Sequence, residues 1–179
     1  MDVETRIARL EAEADIRRLV SRYSFDVDDR DLAAIVGLFT PDATVRSADG
    51  EMMAAGHDAI IAMYQQRFSV LGPGAHYTHD HWIDLSDFRG GRASGRVTGH
   101  AELERNGEMM VCALRYDDAY RVSEQGWQFA ERLIQFLYYV PVADYPGILQ
   151  KGDRNRAYAE ARPADYPEGL PHWRECQRP

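Results

Sequence analysis

The sequence predicts an α+β domain: a cone-shaped, curved antiparallel sheet covered on its concave face by N-terminal helices, followed by a C-terminal extension. Three observations carry this. Helical periodicity is confined to the part before Gly72, strand-like segments joined by strong turns fill the stretch from His76 to Val140, and one of those strands alternates strictly between small apolar and polar residues.

Apolar residues recur as Ile7, Leu10, Ala14, Ile16, Leu19, Val20, Tyr23 and Val27, the three-and-four spacing of an amphipathic helix over Thr5 to Val27. Asp31 is placed to cap a second helix, Leu32 to Phe39, whose apolar residues point nearly all round and predict deep burial before Thr40-Pro41-Asp42 ends it. Thr44 to Arg46 and Glu51 to Ala54 read as a short hairpin turning on Asp49-Gly50. Ile60, Ile61, Met63, Tyr64 and Phe68 mark a third helix, His57 to Val70, stopped at Leu71-Gly72-Pro73-Gly74. Four long strands follow, His76 to Ser86, Arg92 to Arg105, Glu108 to Val122 and Trp127 to Val140, separated by Arg89-Gly90-Gly91, Asn106-Gly107 and Ser123 to Gly126. In the second of these, Ala93, Gly95, Val97, Gly99, Ala101 and Leu103 form the inward row, leaving room for bulky side chains or for a ligand. Residues 1–140 form the domain. Residues 141–179 change to Asp, Arg, Pro and Tyr, repeat Ala-Asp-Tyr-Pro twice, and stay apolar enough to pack on the domain or on a neighbouring subunit, across the mouth of the cone.

Composition narrows the function. The 179 residues, 45% hydrophobic and 28% charged, suit one globular domain able to bury about 70% of its unfolded surface. A formal net charge of −8 repels phosphate backbones and anionic headgroups, so neither nucleic acid nor a membrane surface is an expected partner. The longest apolar run, Leu133 to Ala143, contains Gln135 and Pro141 and falls short of a membrane span, and the first residues lack the pattern of a secretory signal, so a cytoplasmic location is expected. Cys112 and Cys176 lack metal or redox spacing, and Lys151 is the only lysine, which argues against Schiff-base chemistry. Phosphate-loop, dinucleotide and nucleophile-elbow motifs are missing. The protic residues that remain are Tyr23, Asp26, Asp28 and Asp29 near the end of the first helix, and His76, His79 and His81 at the start of the first long strand. Alternation puts His79 and His81 on one face, which would suit a metal only with a third ligand at matching spacing, so no metal site is assigned. His57 and His172 read as solvated, and His100 as part of the outer polar row.

The order and spacing of several short motifs resemble the SnoaL-like branch of the nuclear transport factor 2-like superfamily, over roughly Ile7 to Val140. The carriers are Ile16-x-x-Leu19-x-x-x-Tyr23-x-x-x-x-Asp28, Asp31-Leu32 with Leu38-Phe39-x-x-Asp42-Ala43, Gly56-x-x-Ala59-Ile60, Ala75-His76 with Ile83, Arg115-Tyr116-x-Asp118-x-Tyr120-x-Val122, and Gly126-Trp127-x-Phe129-Ala130-Glu131-Arg132. In enzymes of that branch, of the scytalone dehydratase, bile-acid 7α-dehydratase and hexachlorocyclohexane dehydrochlorinase types, an aspartate ending the first helix and a histidine opening the first long strand form an acid–base pair. The resemblance assigns those roles to Asp28 and His76, and a proton-donating role to Tyr23. A helical wheel alone favours Asp26 over Asp28, and a later strand start would favour His79. The second strand offers Ala101 and Leu103 where one relative has a histidine. In the last strand Gln135 and Phe136 stand where others have an arginine, while Arg132, of opposite parity to Gln135, is expected to point outward.

The resulting expectation is a cofactor-independent lyase or isomerase (a dehydratase, cyclase or retro-aldol enzyme) acting on a small apolar organic molecule. His76, Asp28 and Tyr23 are its catalytic candidates, and Tyr64, Val97, Gly99, Ala101, Tyr116 and Gln135 its candidate substrate contacts. Alternatives are an epoxide-type hydrolase, or a non-catalytic module that binds a ligand or serves as a dioxygenase β-subunit. Self-association as a dimer or trimer is expected from the polar outer sheet face and the apolar tail.

Overall fold

The computed structural model describes residues 1–158 and 160–176; the remaining positions of the extension lie outside the described residues. Helix α1 (Val3–Asp28) starts earlier than its apolar periodicity, because the Asp2 carboxylate accepts the Thr5 N–H at 2.7 Å and caps it. Its stripe Ile16, Leu19, Val20, Tyr23 and Val27 is buried. Helix α2 (Leu32–Gly37) is capped by Asp31 as expected, but only Ile35 of it is buried, and Leu38 and Phe39 already leave it. Strand β1 (Phe39–Ser47) begins there, so Thr40-Pro41 is strand rather than a helix stop. β2 (Met53–Ala55) completes the short hairpin and α3 (His57–Phe68) follows. His57 is not solvated: its Nε2 lies 2.9 Å from the Phe39 carbonyl.

The long strands are β3 (Leu71–Asp84), β4 (Arg92–Arg105), β5 (Glu108–Ser123) and β6 (Gly126–Pro141), and the sheet order is β2-β1-β6-β5-β4-β3. The hairpins β3–β4, β4–β5 and β5–β6 are antiparallel. β1 instead pairs parallel to β6, which corrects the all-antiparallel expectation; everything between them in the chain supplies the long crossover that a parallel pair requires. α1 packs on β3 and β6, α3 on β1 and β2, and the space between these helices and the concave sheet holds the core. Among the described residues no helix is long and apolar enough to cross a membrane.

Irregularities in the ladder decide which side chains face that space. The β3–β4 register shifts between Thr78 and His81, and the β5–β6 register shifts at Ala113/Leu114 and Ala119/Tyr120. An extra residue reverses side-chain parity. Along β6, Phe129 is inward, then Arg132, Ile134 and Phe136, then Tyr139. The bulge at Leu137 also frees ladder groups, which the extension takes up. Phe136 N–H donates to the Asp165 carboxylate at 2.6 Å, Asp165 N–H to the Phe136 carbonyl at 2.9 Å, and the Arg154 Nε–H to the Leu137 carbonyl at 3.0 Å. Asn155 continues this contact as an isolated bridge to Tyr139.

Candidate active site

α1 terminates where the chain turns through Arg30, a non-glycine residue in the left-handed region at φ +58°. The Arg30 guanidinium donates to the carbonyls of Leu71 at 2.5 Å and Gly72 at 2.7 Å, tying the helix end to the start of β3. That clamp brings the last helical residue, Asp28, against His76. One Asp28 oxygen accepts the His76 backbone N–H at 2.9 Å, and the other accepts ring Nδ1–H at 2.6 Å. Because the carboxylate takes a proton at Nδ1, the neutral ring carries its lone pair on Nε2. Both side chains remain about one-fifth exposed, at 22% for Asp28 and 23% for His76.

His76 faces a cavity of about 60 Å³ also lined by Tyr23, Tyr64, Phe68, Tyr116 and Tyr139. The Tyr23 and Tyr64 hydroxyls are 2.6 Å apart. Burial drives the phenols of Tyr64 and Tyr116 well above their ordinary value near 10, so both stay protonated. Met52, Met63, Arg67 and Leu71 are shared between this cavity and an outer groove of about 630 Å³, whose far wall includes Ala157 and Tyr158 of the extension. The inner space admits a few heavy atoms, and the outer groove has room for a larger remainder.

Behind Tyr23 lies a second carboxylate. Asp118 receives Arg132 in a two-pronged pair at 2.8 and 2.7 Å, with neither side chain exposed. The Arg132 guanidinium stands 4.1 Å from the ring centres of Tyr23, Tyr116 and Phe129, a cation held by aromatic faces. Tyr120 O–H donates to Asp118 at 3.0 Å and lies 3.2 Å from His81 Nε2, so the histidine is the donor to the phenol. Burial first, and the charge of Arg17 second, push His81 down to about 4.

A family model described as SnoaL-like domain matches residues 8–133. The chain belongs to the SnoaL-like domain family. No curated protein matches the sequence. Solved structures extend the likeness at the level of fold. A putative scytalone dehydratase from Novosphingobium aromaticivorans superposes with a TM-score of 0.68 at 20% identity, covering 75% of this chain and 89% of that one. A putative aromatic ring hydroxylase from the same organism gives 0.68 at 24%, covering 75% and 96%. The hexachlorocyclohexane dehydrochlorinase LinA-type3 from Novosphingobium barchaimii gives 0.69 at 18%, covering 77% and 94%.

In this SnoaL-like chain His76, Tyr23, Tyr64 and Tyr116 line one cavity, and Asp28 joins them through its hydrogen bond to His76. The alternatives do not join them. Asp26 turns toward Arg22, 3.5 Å away, and the β3 bulge sends His79 outward beside His100, with ring centres 6.4 Å apart. The bulge also puts His79 and His81 on opposite faces, and among the described residues no three His, Cys, Asp or Glu side chains converge as metal ligands. Val97, Gly99 and Ala101 are inward and buried but do not reach the cavity, because side chains of β5 fill the space over β4. A Cβ on Gly95 would meet the Trp82 carbonyl at 2.8 Å and the Tyr120 ring at 3.1 Å, and one on Gly99 would meet Leu114 at 3.3 Å. Gln135 lies on the outer face, where its amide donates to Asp117 at 2.7 Å. Arg132, expected outward, is the buried one. The SnoaL-like pocket also contains Arg67 and Tyr139, which the sequence reading passed over. A signal for Arg67 existed: it continues the buried stripe Ile60, Met63, Tyr64 of α3 at helical spacing, and a cation on an apolar stripe is unusual.

Proposed function

We propose that this protein is a cofactor-independent lyase or isomerase that removes a proton from carbon in a small, largely apolar organic substrate. The observation that carries the reading is the double grip of Asp28 on His76, which fixes the tautomer and orientation of a ring that lines an aromatic cavity and leaves its Nε2 lone pair unengaged by Asp28. In the forward step Nε2 takes the proton, the C–H electron pair becomes a new double bond, and the leaving group or carbonyl oxygen on the neighbouring atom receives the displaced pair. Asp28 stabilises the imidazolium that forms. Either hydroxyl of the Tyr23–Tyr64 pair can be the donor; with Tyr64 donating, the Tyr23 O–H is free to donate to the developing negative oxygen, and a water-poor setting strengthens that bond. Dehydration, double-bond migration and aldol-type cyclisation share this transfer; in retro-aldol cleavage the same nitrogen takes the hydroxyl proton, the oxygen forms a carbonyl, and the broken C–C pair passes to the other fragment as an enolate that is then protonated. The proposal includes a cytoplasmic location and a dimer or trimer, the latter checked by sedimentation.

The test is a panel of small β-hydroxy and β-halo carbonyl compounds incubated with the protein in deuterated water and followed by NMR for elimination or for deuterium at carbon. Turnover of a compound in the panel should fall by about 10²–10⁴ in His76→Ala. Undiminished turnover in that variant would reject the assignment of the base, and incorporation of solvent oxygen without loss of a carbon-bound proton would favour a hydrolase.

A further inference from the structure

The wall between the inner cavity and the outer groove is polar in a particular way. Arg67 lines both spaces and Arg105 lines the groove. Arg67 Nη1 donates only to the sulfur of Met52, at 3.0 Å, and Arg105 donates to the Ala157 carbonyl of the extension. Neither guanidinium pairs with a carboxylate among the described residues. Glu51, the acid on the groove rim, is already held by Arg162 at 2.7 Å, and Asp49 lies 3.8 Å from the same guanidinium. In a chain of net charge −8, two arginines on one groove without a salt-bridged carboxylate concentrate positive charge there. Beside them stands Tyr139, 2% exposed, a residue of the inner cavity wall. Burial raises this phenol, and the charges of Arg67 and Arg105, with a side-chain hydrogen bond from Arg105, oppose the rise, so both cations stand close to it.

We propose that the substrate carries one anionic group, a carboxylate or its equivalent, which Arg67 and Arg105 bind in the outer groove, while the reacting end reaches inward to His76. Guanidinium groups suit this task because they offer paired donors that match two oxygens. The inference rests on His76 being the base, since that determines which end of the substrate lies inside. The anion is a handle remote from the reacting carbon, and its binding orients that carbon.

Calorimetric titration with 2-naphthoate and its neutral counterpart 2-naphthamide tests the idea directly. The wild-type protein should bind the acid about tenfold or more tightly than the amide. Arg67→Gln and Arg105→Gln should each remove most of that preference, lowering affinity for the acid far more than for the amide, with a cooperative thermal unfolding transition showing that the variants fold. His76→Ala should keep the preference, because it alters the other end of the site. Equal affinity for acid and amide, a preference that survives in the double arginine variant, or failure of both probes to bind would overturn the proposal. Loss of turnover in His76→Ala without any preference for the acid would sink the substrate class alone. A preference for the acid, with turnover indifferent to His76, would sink the lyase reading alone.

Discussion

Two aspartates face basic side chains in this cone, and they are held in opposite ways. Asp118 sits at the floor with its carboxylate taken up by three donors, Arg132 twice and Tyr120 once, in a dry setting, while Arg132 Nη1 is left without a partner among the described residues. Asp28 sits at the mouth, partly wet, and grips one histidine that keeps a ring nitrogen unspent. The floor pair organises: it fixes the rings of Tyr23, Tyr116 and Phe129 around one cation. The mouth pair is free to react. Saturating a charge pair gives rigidity, and leaving one valence open gives chemistry.

Breaking each pair should therefore show up in a different measurement. The largest effect is expected from Asp118→Ala, which strands a fully buried guanidinium and should cost about 3–5 kcal/mol in urea or thermal unfolding. A loss under about 1 kcal/mol would mean that water reaches Arg132. Asp28→Asn should cost only about 1 kcal/mol of stability, because one backbone hydrogen bond is weakened, yet lower kcat on the order of 10²-fold with little change in KM, because the ring loses its enforced tautomer. Comparable losses of stability in the two variants would erase the distinction.

The smallest effect concerns the histidine tied to the floor. His81 has its folded-state pKa lowered to about 4, so the unfolded chain takes up this proton more readily. Its contribution is fully present above the ordinary histidine value near 6.5 and is lost as pH falls toward the folded value. Thermal unfolding midpoints between about pH 7 and 4 should thus fall less steeply in His81→Gln, which keeps a donor for Tyr120, than in the wild type. Parallel curves would show that His81 does not report on the floor network.

How much of this the sequence disclosed depended on whether local pattern or ladder register was the deciding physics. The three helices, the hairpin turns and the placement of Asp28 near His76 follow from periodicity, turn chemistry and family spacing, and the structure keeps them. Arg132 and Gln135 came out reversed, because simple alternation cannot register the extra residues that a curved sheet inserts at Ala130 and Leu137. His79 and His81 were put on one face for the same reason. The glycines of β4 suggested space for a ligand, but Tyr120 and Leu114 from the adjoining strand occupy it. The parallel β1–β6 pairing joins segments far apart in the chain and leaves no local trace.

The irregular step in β6 ties the end of the chain to the chemistry at its centre. Phe136 and Tyr139 flank that step and both line the cavity, while Asp165, Arg154 and Asn155 stitch the backbone around it. The residues past Pro141 therefore act as a brace for two cavity walls. Trimming them would first slacken the aim of those rings and only later loosen the fold, so a chain cut back to Pro141 would surrender selectivity before solubility.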